Sequence, residues 1–388
     1  MRILHTSDWH VGKRLGRFDR IEEHLAAVSR VAEIAAAEQV DLVLHSGDVF
    51  DRPMPPVEAL RVALTGLVLL SDEGRRPVVV VAGNHDSAEL FEALAPFLQE
   101  RRIHLVGRIK PPGEGGVLRL ETPGGPAAVA CFPFLRAVQV VDFMGRAESW
   151  YGTYADRVRR ICEVYAEAVA GLRGGDGVGL LVAHFLVGGA AVHAGLPRGE
   201  RELHMGEAYA VTPQAVPTGL DYVALGHIHA PQAVPGVLAP AEYAGSLLPL
   251  DFGEAGEEKR VVLVEARPGV PAVRRSIPVG VGRRLERVGG RWEDIEARAG
   301  LEDAYLDLAV DTDGPEPGLV DRARERFPFV VKVQTRYRRP DVPMPTVAGR
   351  PLSDLYAEYH QHAHGEEAGP ALLATLREVE EEVLDAAD

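Results

Sequence analysis

Along its first two thirds the chain alternates short runs of Val, Leu and Ile with longer stretches whose apolar positions recur every three or four residues. The short runs predict strands at Arg2–Thr6, Asp41–His45, Val78–Ala82, Ile103–Val106, Val117–Leu120, Ala127–Phe132, Gly179–Ala183, Asp221–Leu225, Ala241–Ala244 and Arg260–Val264. The longer stretches predict helices over Ile21–Glu38, Pro56–Leu70, Ala88–Gln99 and Tyr154–Leu172. Strands alternating with helices point to an α/β domain over residues 1–266. Clusters of Gly and Pro at Pro111–Gly116, Pro123–Pro126 and Gly174–Gly179 read as turns or loops between these elements.

The pattern changes near Arg267–Pro271. A smaller α/β unit is expected over residues 272–338, with strands near Arg284–Val288, Tyr305–Val310 and Phe329–Tyr337 and helices at Trp292–Arg298 and Leu319–Arg326. A Pro-rich linker, Arg339–Pro345, then leads to a helical tail at 346–388. One apolar stripe there is Leu352, Leu355, Tyr356 and Tyr359; the other, after Pro370, is Leu372, Leu376, Val379 and Val383. These stripes can fold back on the parent domain or present a helical hairpin to a partner.

Composition narrows the setting. With 388 residues and a 46% apolar fraction, the chain can build a large core without disulfides or structural zinc. Its two cysteines, Cys131 and Cys162, sit in apolar surroundings, which excludes a disulfide framework and fits a reducing compartment. The first residues enter a strand directly and no apolar run is long enough to span a bilayer, so a cytoplasmic protein is expected. A net charge of −15 argues at face value against a nucleic-acid partner. Local basic clusters and divalent cations can override net charge at a site, however. Lys13–Arg14 with Arg17 and Arg20, Arg101–Arg102, and Arg336 with Arg338–Arg339 are such clusters, although each alone reads as solvated surface.

The chemistry concentrates just past the expected strand ends. Asp8 and His10 follow the first strand, Asp48 the second and Asn84, His85 and Asp86 the third; His184 closes a later strand, and His227 and His229 follow another. Open α/β sheets build their sites at such carboxyl ends, so residues from Asp8 to His229 are expected to converge on one crevice. Carboxylate, imidazole and amide groups without thiolates suit Mn²⁺, Fe²⁺ or Zn²⁺. The seven of them other than His85 and Asp86 are too many for one ion and suit two, with a carboxylate bridging. Two ions about 3.5–4 Å apart activate a water and clamp the oxygens of an in-line displacement at phosphorus. Any one of these residues alone has an ordinary structural explanation; their joint order at strand ends carries the expectation.

With those residues assembled, the sequence resembles the calcineurin-like metallophosphoesterase superfamily, through Asp8-x-His10, Gly47-Asp48, Gly83-Asn84-His85-Asp86, His184 and Gly226-His227-x-His229. His5–Gly12, Gly47–Asp51 and Ala244–Leu250 narrow the resemblance to the bacterial SbcD branch, nuclease subunits of SbcCD complexes. The likeness is strong to about residue 265; beyond that it rests on order and pattern.

The resemblance implies a sandwich of two β-sheets flanked by helices, a small α/β capping domain and a C-terminal helical pair that docks on SbcC. It implies one metal held by Asp8, His10, Asp48 and His229, and a second held by Asp48, Asn84, His184 and His227. His85 would face the scissile phosphate and serve the leaving oxygen, with Asp86 orienting His85 or its turn. Relatives often carry His where Asp51 stands, which leaves that residue's role open, and His193 and His204 match no family ligand and read as surface histidines. The implied activity is Mn²⁺-dependent cleavage of DNA, exonucleolytic at double-strand ends and endonucleolytic in single strands and hairpins, in repair, recombination and replication. ATP hydrolysis would belong to SbcC, since no Gly-rich phosphate loop is present. A homodimer would form through helices at 56–70 and 88–99, with Leu60, Leu64, Leu67, Phe91, Leu94 and Leu98 available for contact. The DNA-contacting residues are not evident beyond Lys13, Arg14 and Arg17. A small-molecule phosphodiesterase or phosphatase of the same superfamily is the alternative, and a metal-free scaffold is a more distant one.

Overall fold

The computed structural model describes residues 1–136, 153–190, 210–337 and 350–385. The strands of the main body are β1 (Arg2–Thr6), β2 (Leu42–His45), β3 (Val78–Val81), β4 (Ile103–Val106), β5 (Val117–Thr122), β6 (Gly125–Phe132) and β7 (Val178–His184). After them come β8 (Leu186–Val187), β9 (Ala210–Val211), β10 (Tyr222–Gly226), β11 (Gln232–Ala233), β12 (Ala241–Tyr243), β13 (Arg260–Arg267) and β14 (Val270–Pro278). Helices α1 (Ile21–Ala37), α2 (Val57–Ser71), α3 (Ala88–Gln99) and α4 (Tyr154–Arg173) lie where the apolar periodicity predicts them.

Two six-stranded sheets form, ordered β14-β13-β1-β2-β3-β4 and β11-β12-β10-β7-β6-β5. Strand periodicity explains how they stack. Successive side chains point to opposite faces, so Ile3, Leu42, Leu44, Val79 and Val81 meet Val129, Cys131, Leu180, Val182 and Ala224 of the other sheet. Their neighbours Leu4, Val43, Val78 and Val80 pack instead against α1, α2 and α3. On the far side, Ala128, Ala130, Leu181 and Val223 pack against α4. The result is an α/β/β/α sandwich.

β1, β2, β3 and β4 run parallel, as do β6, β7, β10 and β12. β14 extends the first sheet through Pro278, past the break expected at 266, and pairs antiparallel with β13. A third sheet, β15-β16-β17, consists of β15 (Leu285–Gly290), β16 (Tyr305–Asp311) and β17 (Val330–Arg336). It has its own core around Trp292, Leu306, Leu308 and Phe327. It rests on the turn that follows β1: Leu15 and Phe18 pack with Leu285, Tyr305 and Phe329. The Tyr305 hydroxyl donates to Glu23 Oε1 at 2.7 Å.

A second body comprises Thr312–Pro315 and Arg336–Asp388. In it, helices Leu352–His364 and Pro370–Asp385 are tied by Leu352 N–H donating to Glu380 Oε1 at 3.0 Å and Arg377 Nε to Ser353 Oγ at 3.3 Å. Leu352, Tyr359, Leu372 and Val379 of the expected stripes remain exposed. Among the described residues no helix is long and apolar enough to cross a membrane.

Two sequence expectations change. Arg20 does not belong to a solvated basic cluster: it is buried, paired with Glu23 at 2.8 Å and donating to Pro249 O. Leu67, Phe91 and Leu98 are core residues, because they lie on the faces of α2 and α3 turned to the sheet; Val57, Leu69 and Phe97 are the exposed apolar side chains there. His193, His204, Arg338–Arg339 and the Pro-rich linker lie outside the described residues.

Candidate metal centre

The parallel strands bring five chain segments to one edge of the sandwich. Thr6 sits beside His45 in the register of β1 and β2, and Gly226 beside His184 in that of β10 and β7. The turns that follow are unusually tight. Of the eight described non-glycine residues with positive φ, four are Asp8 (47°), His10 (44°), Asp48 (54°) and His227 (101°). Such conformations persist only where the surroundings over-determine them, and they cluster at functional sites. The restraint is visible here. Asp8 N–H donates to Gly47 O at 2.9 Å and His10 N–H to Asp48 O at 3.0 Å, which laces the first two turns together. Glycine is required at two positions: a Cβ on Gly83 would overlap the Asp48 carboxylate, and one on Gly226 would overlap Ser46 O and Ser7 Oγ.

The sequence-predicted residues converge. His10 Nε2 lies 3.2 Å from His229 Nε2 and 3.5 Å from Asp48 Oδ2. His184 Nε2 is also 3.5 Å from Asp48 Oδ2, so Asp48 stands between the two ends of the crevice. Asn84 Oδ1 is 3.0 Å from both His184 Nε2 and His227 Nδ1. Asp8 accepts the backbone N–H of His227 at 3.1 Å. Asp8, His10 and His229 form one group whose ligand atoms lie within 4.8 Å of each other; Asp8, Asp48 and His184 form another, and His10, Asp51 and His85 a third.

Tautomers follow from the acceptors. A carbonyl can only accept, so His184 Nδ1 donates to Ser46 O (2.8 Å) and His85 Nδ1 to Asp51 O (2.9 Å), leaving each Nε2 facing the crevice. His229 Nδ1 meets Glu254 Oε1 at 2.9 Å.

Electrostatics favours a cation. Burial pushes Asp8 up to about 7, with the nearby Asp48 charge adding to it, and pushes Asp48 up to about 6. Burial also holds His10 well below the ordinary histidine range and His184 down at about 3, so both rings are neutral, the form that binds metal. Two buried carboxylates without a Lys or Arg partner among the described ion pairs call for positive charge beside them. The donor set therefore fits divalent metals.

Neighbouring residues sort by what they touch. Asp86 does not hold His85; its carboxylate accepts the backbone N–H groups of Val49, Phe50 and Gly83, which fixes the turns. Asp51 contributes its carbonyl to His85 and pairs its side chain with Lys13 at 3.1 Å. Sequence reasoning missed Glu254 and Lys259. Glu254 is fully buried and receives Lys259 Nζ at 2.7 Å. Burial opposes its charge, but His229 and Lys259 outweigh that and hold it down at about 2. The only sequence clue was a Glu and a Lys flanking a Gly-containing turn after the Ala244–Leu250 segment. Beside Gly83 and Asp86 opens a cavity of about 260 Å³, lined also by Ser87, Arg108, Phe134 and Arg136.

The sequence is similar to those of known proteins. The sequence matches the model of the family described as calcineurin-like phosphoesterase over residues 1–231. It is 32% identical over 311 residues to the SbcD subunit of the SbcCD nuclease of Bacillus subtilis, covering 79% of this chain and 74% of that one. It is 35% identical over 291 residues to the corresponding SbcCD nuclease subunit of Rhodobacter capsulatus, covering 72% and 69%. The corresponding subunit of Escherichia coli K12 is 30% identical over 327 residues, covering 81% and 78%.

Proposed function

Because the chain belongs to the calcineurin-like phosphoesterase family, and within it to the SbcD nuclease subunits, it is a metal-dependent nuclease subunit, and we propose that it cuts DNA at a centre of two Mn²⁺ ions. Asp8, His10, Asp48 and His229 would hold one ion and Asp48, Asn84, His184 and His227 the other. The observation that carries this reading is the position of the Asp48 carboxylate, 3.5 Å from both His10 Nε2 and His184 Nε2. Bound there, the ions supply an activated water and neutralise charge on the phosphate.

The chain's own residues do the rest. His85 Nδ1 is committed to Asp51 O, so proton exchange is confined to Nε2, which serves the leaving oxygen as general acid. Its backbone N–H donates to Asp48 Oδ1 at 2.8 Å, which couples the position of the acid to the residue shared by both ion sites. Lys13, paired with Asp51 at 3.1 Å, would contact a backbone phosphate.

The substrates are proposed to be double-strand ends, cut exonucleolytically, and single strands and hairpins, cut endonucleolytically, in the cytoplasm during repair, recombination and replication. SbcC is the proposed ATPase partner, docking on the 346–388 helices, whose Leu352, Tyr359, Leu372 and Val379 are exposed. The unit built on β15, β16 and β17 would cap the nuclease domain, whose first sheet runs through Pro278 rather than ending at 266. Dimerisation is assigned to α2 and α3, through Val57, Leu69 and Phe97 rather than the core residues Leu67, Phe91 and Leu98.

The test is a 3′- versus 5′-labelled duplex digested with Mn²⁺, with and without SbcC and ATP, beside a small phosphodiester. Shortening of the duplex that SbcC and ATP enhance is expected. Equal turnover of DNA and the small phosphodiester, with no gain from SbcC, would replace this reading with a small-molecule phosphodiesterase.

A further inference from the structure

Behind His229, on the side away from the crevice, lies a buried charged chain that the catalytic reading does not use. Glu254 ends the short turn Phe252–Glu254 and has no solvent exposure. One oxygen, Oε1, faces His229 Nδ1 at 2.9 Å. The other, Oε2, accepts from Leu250 N–H at 3.0 Å and Ser246 Oγ at 3.3 Å, and pairs with Lys259 Nζ at 2.7 Å. Lys259 is itself buried, donates to His229 O at 3.1 Å and pairs with Glu257 at 2.8 Å. Ring and backbone of His229 are thus both gripped by one ion pair. A structural clamp could use any of these bonds; only the bond to Nδ1 also decides which ring nitrogen faces Asp8 and His10.

We propose that Glu254, aimed by Lys259, is a positioning residue of the metal centre: it accepts the Nδ1 proton of His229 and so presents the Nε2 lone pair to an ion shared with Asp8 and His10. Carboxylate support of this kind orients a metal-binding imidazole, raises its basicity and is worth about 10–100-fold in metal affinity. His184, at the other end, takes its orientation from Ser46 O instead. Losing Glu254 should therefore weaken one ion and spare the other. The inference rests on the two-ion reading given above.

The test uses the full chain, metal-free, titrated with Mn²⁺ by calorimetry, with melting of the metal-free protein measured in parallel. For Glu254→Gln, which keeps the shape and removes the charge, one of two binding steps is expected to weaken about 10–100-fold while the other step holds. The metal-free melting temperature falls as well, because Lys259 loses a buried partner, so the difference between the two steps is the readout. If that variant does not fold, Glu254→Asp keeps the charge beside Lys259 but draws it back from His229, and the same single-step loss is expected. Two unchanged steps overturn the inference, as does an equal loss at both steps, which is what a clamp alone would give. A wild-type chain that binds no Mn²⁺ removes the two-ion reading and this inference together; two wild-type ions with an indifferent variant remove this inference alone.

Discussion

His184 and His229 stand at opposite ends of one crevice, and the means that orient them differ. His184 is fully buried and gives its Nδ1 proton to a backbone carbonyl, Ser46 O, inside the first sheet's own turn. His229 is about a quarter exposed, at 26%, and leans on Glu254, a charged side chain from a separate turn. A carbonyl cannot be deleted by one substitution; a carboxylate can. The His184 end should thus be robust to mutation, and the His229 end should be the adjustable one. Asp48 and His85 lie between, and substitutions there should not discriminate between the ends.

The largest effect that sharpens this contrast is expected from His85→Gln. Its ring holds no ion in this scheme, so Mn²⁺-dependent DNA cleavage should fall about 10²–10⁴-fold with Mn²⁺ stoichiometry unchanged. Loss of an ion in that variant, measured by calorimetry, would move His85 into the ligand set.

A pH titration comes next. Burial raises Asp8 and Asp48 together above the usual carboxylate range, so both must lose their protons before they bind metal. As pH falls from 8 towards 6, Mn²⁺ binding should weaken by up to about tenfold per unit. The metal-free chain has the opposite sign. Folded-state values raised above 3.8 mean that these carboxylates favour the fold most below that pH, and the contribution is lost as pH rises through about 7. Stabilisation by added Mn²⁺ should therefore grow with pH across this range, as melting curves would show; a gain independent of pH would contradict the assignment.

The smallest effect is expected far from both ends. Tyr305→Phe removes the hydroxyl that donates to Glu23 and should cost about 0.5–1.5 kcal/mol in urea unfolding, leaving both Mn²⁺ steps untouched. A shift in either step would mean that the small α/β unit communicates with the centre.

The same contrast separates what could be read in the sequence from what could not. Strands β1, β4 and β7 and helix α3 were legible because buried faces impose a period on the residues that fill them. β14 was not: Val270, Pro271, Arg274 and Arg275 on this edge strand are exposed, so no apolar alternation announces it. The ligand candidates were legible because their residue types are scarce and fall at strand ends. Glu254 and Lys259 were not, since their role arises from a pairing with His229 that only the fold creates. The hold on His85 was invisible for a different reason: it comes from the carbonyl of Asp51, which every residue has. Arg20 looked like one basic residue among several, and only the packing of Glu23 and Pro249 around it reveals a buried strut.

The central claim is that Asp48 serves two ions at once, and Asp48→Asn tests it most directly. Bound Mn²⁺ and cleavage of a labelled DNA duplex should be measured on the same samples of wild type and variant. Two ions per chain and Mn²⁺-dependent cleavage are expected in the wild type, with affinity reduced at both steps and cleavage lowered about 10³-fold or more in the variant. Loss at one step only, or cleavage that survives the substitution, would contradict it.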